Sequence, residues 1–244
     1  MKQLLYFSII LAVNYSFSQK TYKNLQNALL NKDDVVKLDL NGQDIAEFPS
    51  LSEFKNLKWL DLSANDLADI PASISELSGL EYLNLSSNHI SILPESIAEL
   101  HELKELNLGF NILVELPTNF DQLEQLQKLD LSGNNFTKFP ALLGEITQLE
   151  QLYMPTLETK LGFPEFLKNL TNLKILYFNT PLNNLPDWIG DLNKLESLTI
   201  QNGELMTLPS SISKLQNLKV LDLQQNRLTS LPETICALSN LQEI

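Results

Sequence analysis

The chain has 244 residues, of which 43% are hydrophobic and 19% charged, and 17 basic against 30 acidic side chains give a net charge of −13. That balance speaks against a nucleic-acid binder that grips phosphates, which needs a surplus of Lys and Arg. A single cysteine excludes a disulfide framework and a CxxC redox motif, and with only His89 and His101 beside it no closed structural zinc site can be assembled.

The N-terminus reads MKQLLYFSIILAVNYSFSQK. Lys2 supplies a positive start, Leu4 to Val13 an apolar run, and Ser16 and Ser18 the small residues of a cleavage site before Gln19. Residues 1–18 are therefore expected to be a signal peptide. The apolar run is too short to cross about 30 Å of hydrocarbon, so no membrane span is expected. Export would place the mature chain outside the cell, at its surface or in a periplasm, whereas an uncleaved run would leave it cytoplasmic.

Residues 19–34 predict an N-terminal capping helix. Tyr22, Leu25, Ala28 and Leu29 recur at helical spacing, with Thr21 as N-cap.

From Val35 to Ile244 the chain repeats itself. Leu57, Leu80, Leu103, Leu126 and Leu149 follow one another in steps of 23 residues, with further copies at Val35, Leu173, Leu195 and Leu218. The pattern is L-x-x-L-x-L-x-x-N-x-L-x-x-[LIF]-P-x-x-[IFL]-x-x-[LI], complete from Leu80 through Asn88 and Pro94 to Leu100. Nine copies are counted, and Leu241 and Ile244 begin a tenth, which reads as truncation or as an edge that pairs with something. The alternation at L-x-L suits a short strand with one buried face, centred on segments such as Tyr82 to Leu85 and Lys128 to Leu131. Proline suits a first helical turn, and Ile-x-x-Leu turns one face of a short helix inward. No single copy can bury its apolar side alone, so nine parallel strands are expected to stack about 4.8 Å apart with helices behind them.

The residue after L-x-L-x-x is an asparagine in five copies: Asn65, Asn88, Asn111, Asn134 and Asn226. An amide donates and accepts at once, so a buried ladder of these side chains can satisfy backbone groups opened by the bend. Gln43, Leu157, Pro181 and Gly203 stand there in the other four, the last three consecutively. The copies at Leu149 and Leu173 also depart from the 23-residue step, and the segment from Tyr153 to Gly162 has no counterpart. This irregular region reads either as drift in tolerant loops or as a bulge that shapes a binding surface.

Two columns of strand residues are expected to point out of the sheet. The first runs Lys37, Trp59, Tyr82, Glu105, Lys128, Gln151, Ile175, Ser197, Val220; the second runs Asp39, Asp61, Asn84, Asn107, Asp130, Tyr153, Tyr177, Thr199, Asp222. Tyr153, Ile175 and Tyr177 form one apolar-aromatic patch; Trp59 and Tyr82, with Phe110 one strand further on, form a second. Each has the composition of an interface centre, and each equally suits cross-strand packing of aromatics.

No catalytic set emerges. His89 and His101 lie apart from any nucleophile, Asn84 and Asn107 break the acidic column that calcium would need, and Cys236 reads as a part-buried apolar residue. No cofactor or metal is expected, and oligomeric state is not legible.

The repeat closely resembles the leucine-rich repeat family, in the Leu-Pro-x-x-Ile-x-x-Leu subclass of Scribble-like, plant Ras-group and many bacterial proteins. With a signal peptide in front it is most similar to exported bacterial members. The resemblance implies an α/β right-handed solenoid with a concave parallel sheet, and a non-enzymatic scaffold for a protein or peptide ligand. The alternatives are an intracellular signalling adaptor or inhibitor, and the recognition part of a longer enzyme.

Overall fold

The computed structural model describes residues 20–157 and 162–244; the expected signal peptide lies outside them. Ten strands form one parallel sheet in sequence order: β1 (Thr21–Tyr22), β2 (Lys37–Asp39), β3 (Trp59–Asp61), β4 (Tyr82–Asn84), β5 (Glu105–Asn107), β6 (Lys128–Asp130), β7 (Gln151–Tyr153), β8 (Ile175–Phe178), β9 (Ser197–Ile200) and β10 (Val220–Asp222). The sheet does not close on itself, and the polypeptide winds as a solenoid of one strand per repeat.

The register follows from the leucines. Leu38, Leu60, Leu83, Leu106, Leu129, Leu152, Leu176, Leu198 and Leu221 pair from strand to strand, and each is essentially excluded from solvent. A slip of one residue would turn this whole row into water. Behind the sheet, short 3₁₀ helices such as Ala72–Glu76, Glu95–Glu99 and Ala141–Glu145 carry the second apolar row, Ile74, Ile97 and Leu143, fully buried. In a 3₁₀ helix residues three apart eclipse, which suits a motif spaced at i, i+3.

Proline sits one step earlier than expected. Pro71, Pro94, Pro140, Pro164, Pro186, Pro209 and Pro232 precede their helices with extended ψ rather than occupying the first turn. The proline carbonyl accepts the amide three residues on, as in Ile74 to Pro71 at 3.1 Å and Ile97 to Pro94 at 3.0 Å. The ring presets φ, and its missing N–H leaves no donor to satisfy.

The N-terminal reading needs two corrections. Thr21 is not a helix cap: Thr21–Tyr22 pairs with Lys37 and Leu38 as a tenth strand, and Tyr22 extends the buried leucine row. The edge of β2 offers a ladder that outweighs the weak local helix signal. The helix α1 (Leu25–Leu29) starts three residues later, capped by Asn24, whose Oδ1 accepts the Asn27 amide at 3.0 Å. Ala28 is buried, while Leu29 is exposed.

The asparagine ladder is present and bonded on both sides. Asn88 donates to the carbonyls of Leu62 and Leu85, each at 3.0 Å, and accepts the Leu67 amide at 3.0 Å. Asn65, Asn111 and Asn134 repeat this from copy to copy. All four are buried, whereas Asn226 makes the same bonds half-buried. The residue before the asparagine takes a left-handed conformation in copy after copy, with φ of 53° at Ala64, 56° at Ser87, 56° at Phe110, 65° at Gly133 and 58° at Gln225. The bend thus imposes a conformation that only glycine adopts freely.

Where the ladder lapses, other residues replace it. Thr180, fully buried, accepts the Leu157 amide at 3.1 Å and donates to the Pro155 carbonyl at 3.3 Å. Behind it, Phe139, Phe178, Phe163 and Trp188 pack ring against ring in that order, with successive centroids 5.3, 5.0 and 5.4 Å apart. The irregular spacing accompanies this aromatic packing behind the sheet.

Candidate ligand-binding face

The outward columns are built by strand pairing. Trp59 pairs with Tyr82, Tyr82 with Glu105, Gln151 with Ile175 and Tyr153 with Tyr177. Parallel registration places like positions of successive copies side by side, so a row in the sequence alignment becomes a row on the surface.

The two aromatic patches differ in how they are packed. Trp59 and Tyr82 stack face to face, centroids 4.7 Å apart and 8° from parallel, and the Lys37 ammonium covers the other Trp59 face at 3.9 Å. Both faces of the indole are thereby used internally. Burial, with Asp61 and Glu105 near, pushes the Tyr82 phenol well up, against a bond from Asn84, so it stays neutral. Tyr153 and Tyr177 lie 6.0 Å apart at 31° and are half-buried beside Ile175. Burial also raises both phenols, with Asp130 adding to the effect at Tyr153 and Asp222 and Asp130 at Tyr177. Next to Ile175, the buried Gln151 has an Oε1 with no hydrogen-bond partner among the described residues.

Phe110 is placed differently from the strand residues. It lies in the turn after β5, exposed, and its ring covers Gly133 of the next copy. Pairing puts Glu105, not Phe110, next to Tyr82 in the first column.

The second column has a role the sequence reading missed. Its Asp and Asn side chains cap the turns that follow: Asp61 Oδ1 accepts the Ser63 amide at 2.8 Å, Asn84 Oδ1 that of Ser86 at 3.1 Å, and Asp130 Oδ1 that of Ser132 at 2.9 Å. The signal was the D/N-x-S spacing, which favours such local bonds. A second unread feature runs along the flank. The residues after the first leucine alternate in charge on either side of the neutral Gln127, and Glu81 receives both Lys58 and Lys104 at 2.7 Å, while Glu150 meets Lys174 at 2.7 Å and Glu196 meets Lys219 at 2.6 Å. Burial would raise the Glu81 carboxyl, but bonds from the two lysines hold it below the usual carboxylate range.

Among the described residues, no group of three or more His, Cys, Asp or Glu is gathered for a metal ion, and no helix is long and apolar enough to cross a membrane. Cys236 is exposed rather than part-buried, because its helix lies in the copy with the fewest buried residues.

Comparisons with known proteins agree with this architecture. A family described as leucine-rich repeat region matches residues 37–184, and one described as leucine rich repeat matches residues 193–244. No curated protein matches the chain. Among solved structures, a leucine-rich repeat protein of Leptospira interrogans is 31% identical with a TM-score of 0.76, covering 92% of this chain and 65% of its own. The ectodomain of the Arabidopsis thaliana membrane receptor kinase GASSHO1/SCHENGEN3, solved in complex with CASPARIAN STRIP INTEGRITY FACTOR 2, is 31% identical with a TM-score of 0.71, over 88% of this chain and 27% of its own. The plant peptide hormone receptor RGFR1, in complex with RGF2, is 23% identical with a TM-score of 0.68, over 88% of this chain and 40% of its own, a likeness of fold alone. The chain spans less than two thirds of each of these proteins. By repeat pattern, stacked fold and family match, the chain belongs to the leucine-rich repeat family.

Proposed function

We propose that the protein is an exported, non-enzymatic scaffold that binds a protein or peptide ligand on the concave sheet, centred on Tyr153, Ile175 and Tyr177. One observation carries the placement: two tyrosines of adjacent strands stand side by side with an apolar neighbour and a buried acceptor, Gln151 Oε1, that finds no donor among the described residues. A peptide N–H or a donor side chain could supply it, since an unmet buried acceptor costs about 1–3 kcal/mol. Trp59, by contrast, already has both faces covered. That a structurally similar plant receptor ectodomain, 31% identical, was solved with a bound partner supports the class of function. Residues 1–18 act as the export signal, and residues 19–34 cap the first edge of the solenoid.

Two experiments test the proposal. Mass spectrometry of the native protein should find Gln19 at the N-terminus; an intact Met1 start counts against export. Tyr153→Ala with Tyr177→Ala should lose the partner that the parent captures, while Trp59→Ala with Tyr82→Ala retains it. The reverse result moves the site to the N-terminal patch, and capture by both pairs removes it from the concave face.

A further inference from the structure

The turn caps of the second column are completed by a serine two residues on. Ser63 Oγ donates to Asp61 at 2.5 Å, Ser86 Oγ to Asn84 at 2.8 Å and Ser132 Oγ to Asp130 at 2.6 Å. After β5 the equivalent residue is Gly109, and only its amide reaches Asn107 Oδ1, at 3.0 Å. The missing side chain leaves a notch: a Cβ at Gly109 would lie 3.2 Å from Asp130 Oδ1 and 3.3 Å from Asn107 Oδ1. Two of these residues, Asn107 and Asp130, also line a hollow of about 310 Å³ together with Ser86, Ser87 and Phe110.

The hollow combines an anionic floor with an aromatic wall. Other aspartates of the column engage their second oxygen: Asp39 Oδ2 with Lys23 at 3.4 Å, Asp61 Oδ2 with Asn84 at 3.1 Å and Asp222 Oδ2 with Gln201 at 2.6 Å. Among the described residues, Asp130 Oδ2 has no such bond. Burial pushes the Asp130 carboxyl up despite its bonds from Ser132, as expected of a charge short of a close counter-ion. The nearby Lys128 ammonium leans instead toward Glu105, at 3.5 Å. Phe110, half exposed at 48%, is a bulky residue held at positive φ, a conformation that persists only where surroundings impose it.

The geometry points to a seat for one arginine side chain of the bound protein or peptide, its guanidinium on the Asp130 carboxylate and its plane against Phe110. A planar cation with several donors can bond a carboxylate and an amide oxygen while stacking on a ring, which a compact ammonium does less well. The chain's net charge of −13 favours such a partner. The seat rests on the concave-face reading for its occupant, but it can be tested without the natural ligand.

The probe is a blocked arginine, Nα-acetyl-arginine methylamide, titrated into the isotope-labelled protein and followed by amide chemical shifts. Saturable shifts are expected at Gly109, Phe110 and Ser132. The equally sized but neutral citrulline derivative should give none that saturate. Asp130→Asn should weaken the response about tenfold or more, the scale of one charge-assisted bond. Gly109→Ser, which copies the residue of the neighbouring copies and fills the notch, should abolish it with no loss of melting temperature. Equal saturation by the citrulline or lysine derivative overturns the seat, as does an arginine response untouched by both substitutions. The titration needs no natural ligand, so failure of the tyrosine patch and failure of this seat are separate results.

Discussion

The ring of Phe110 occupies the space that a side chain at Gly133 would need: a Cβ there would lie 2.8 Å from Phe110 Cδ1. Gly133 also holds φ at +65°, so this glycine answers to two constraints, one from its own turn and one from the copy before it. Gly133→Ala is expected to destabilise by about 1–3 kcal/mol. The conformational share should remain when Phe110 is also replaced by Ala, and the steric share should disappear. Urea denaturation of the two single variants and the double variant checks this: simple additivity would show that the ring moves aside without cost.

Asn88→Ala and Asn111→Ala should each cost about 1–3 kcal/mol, because each strands carbonyls of two copies and an amide of the copy before. Asn226→Ala should cost less, since its half-buried position lets water replace the lost bonds. Unfolding midpoints of the three variants should fall in that order.

Thr180 makes the matching case in the irregular copies. Thr180→Val keeps the shape and removes the hydroxyl, leaving the Leu157 amide and Pro155 carbonyl unmet in a buried site. Thr180→Ser keeps both bonds. The expected order of melting temperature is parent, then Ser, then Val; equal Ser and Val values would assign the role of Thr180 to its methyl group.

Repeat identity, strand positions, helix rows and the five-member ladder were legible because each depends on residue type at a fixed spacing. Thr180 was not, because it stands one residue before the ladder position and only the fold shows that its hydroxyl reaches the same backbone groups. Thr21 and Tyr22 were misread because two residues carry no periodicity, and their state is decided by the open edge of β2. The outward columns were read correctly as rows, but not which rings are already covered: the Lys37–Trp59–Tyr82 stack depends on χ angles that no sequence pattern reports.

The flank ladder predicts an acid dependence. The folded Glu81 carboxyl lies below its ordinary value of 4.5, so the native state binds its proton less readily than the unfolded chain. Its contribution is then fully present above that ordinary value and is lost as pH falls through the folded value. Asp130 has the opposite sign: its folded value is raised above 3.8, so stability falls as pH rises through that range and the carboxylate forms. Urea midpoints measured from neutral pH downward should decline less in Glu81→Gln than in the parent. At neutral pH Asp130→Asn, which keeps an oxygen for Ser132, should be at least as stable as the parent. A less stable Asp130→Asn would show that the carboxylate is compensated in the fold.

The last prediction concerns the two aromatic patches as structure. Trp59→Ala removes a parallel stack with Tyr82 and the Lys37 contact on its other face. An aromatic pair contributes about 0.5–1.5 kcal/mol beyond its buried area, and a cation over a ring about 0.5–1 kcal/mol at an exposed site. Tyr153 and Tyr177 are 6.0 Å apart and tilted, with neither ring sandwiched in this way. Trimming the tyrosines should therefore shift the melting temperature less than trimming Trp59 and Tyr82. That inequality matters for the binding test. If the tyrosine pair proves the more costly to remove, its rings serve the fold, and a loss of capture in that variant would report unfolding rather than a lost contact. If it proves the cheaper, a loss of capture has no structural explanation left, and the patch owes its two adjacent tyrosines to what it binds.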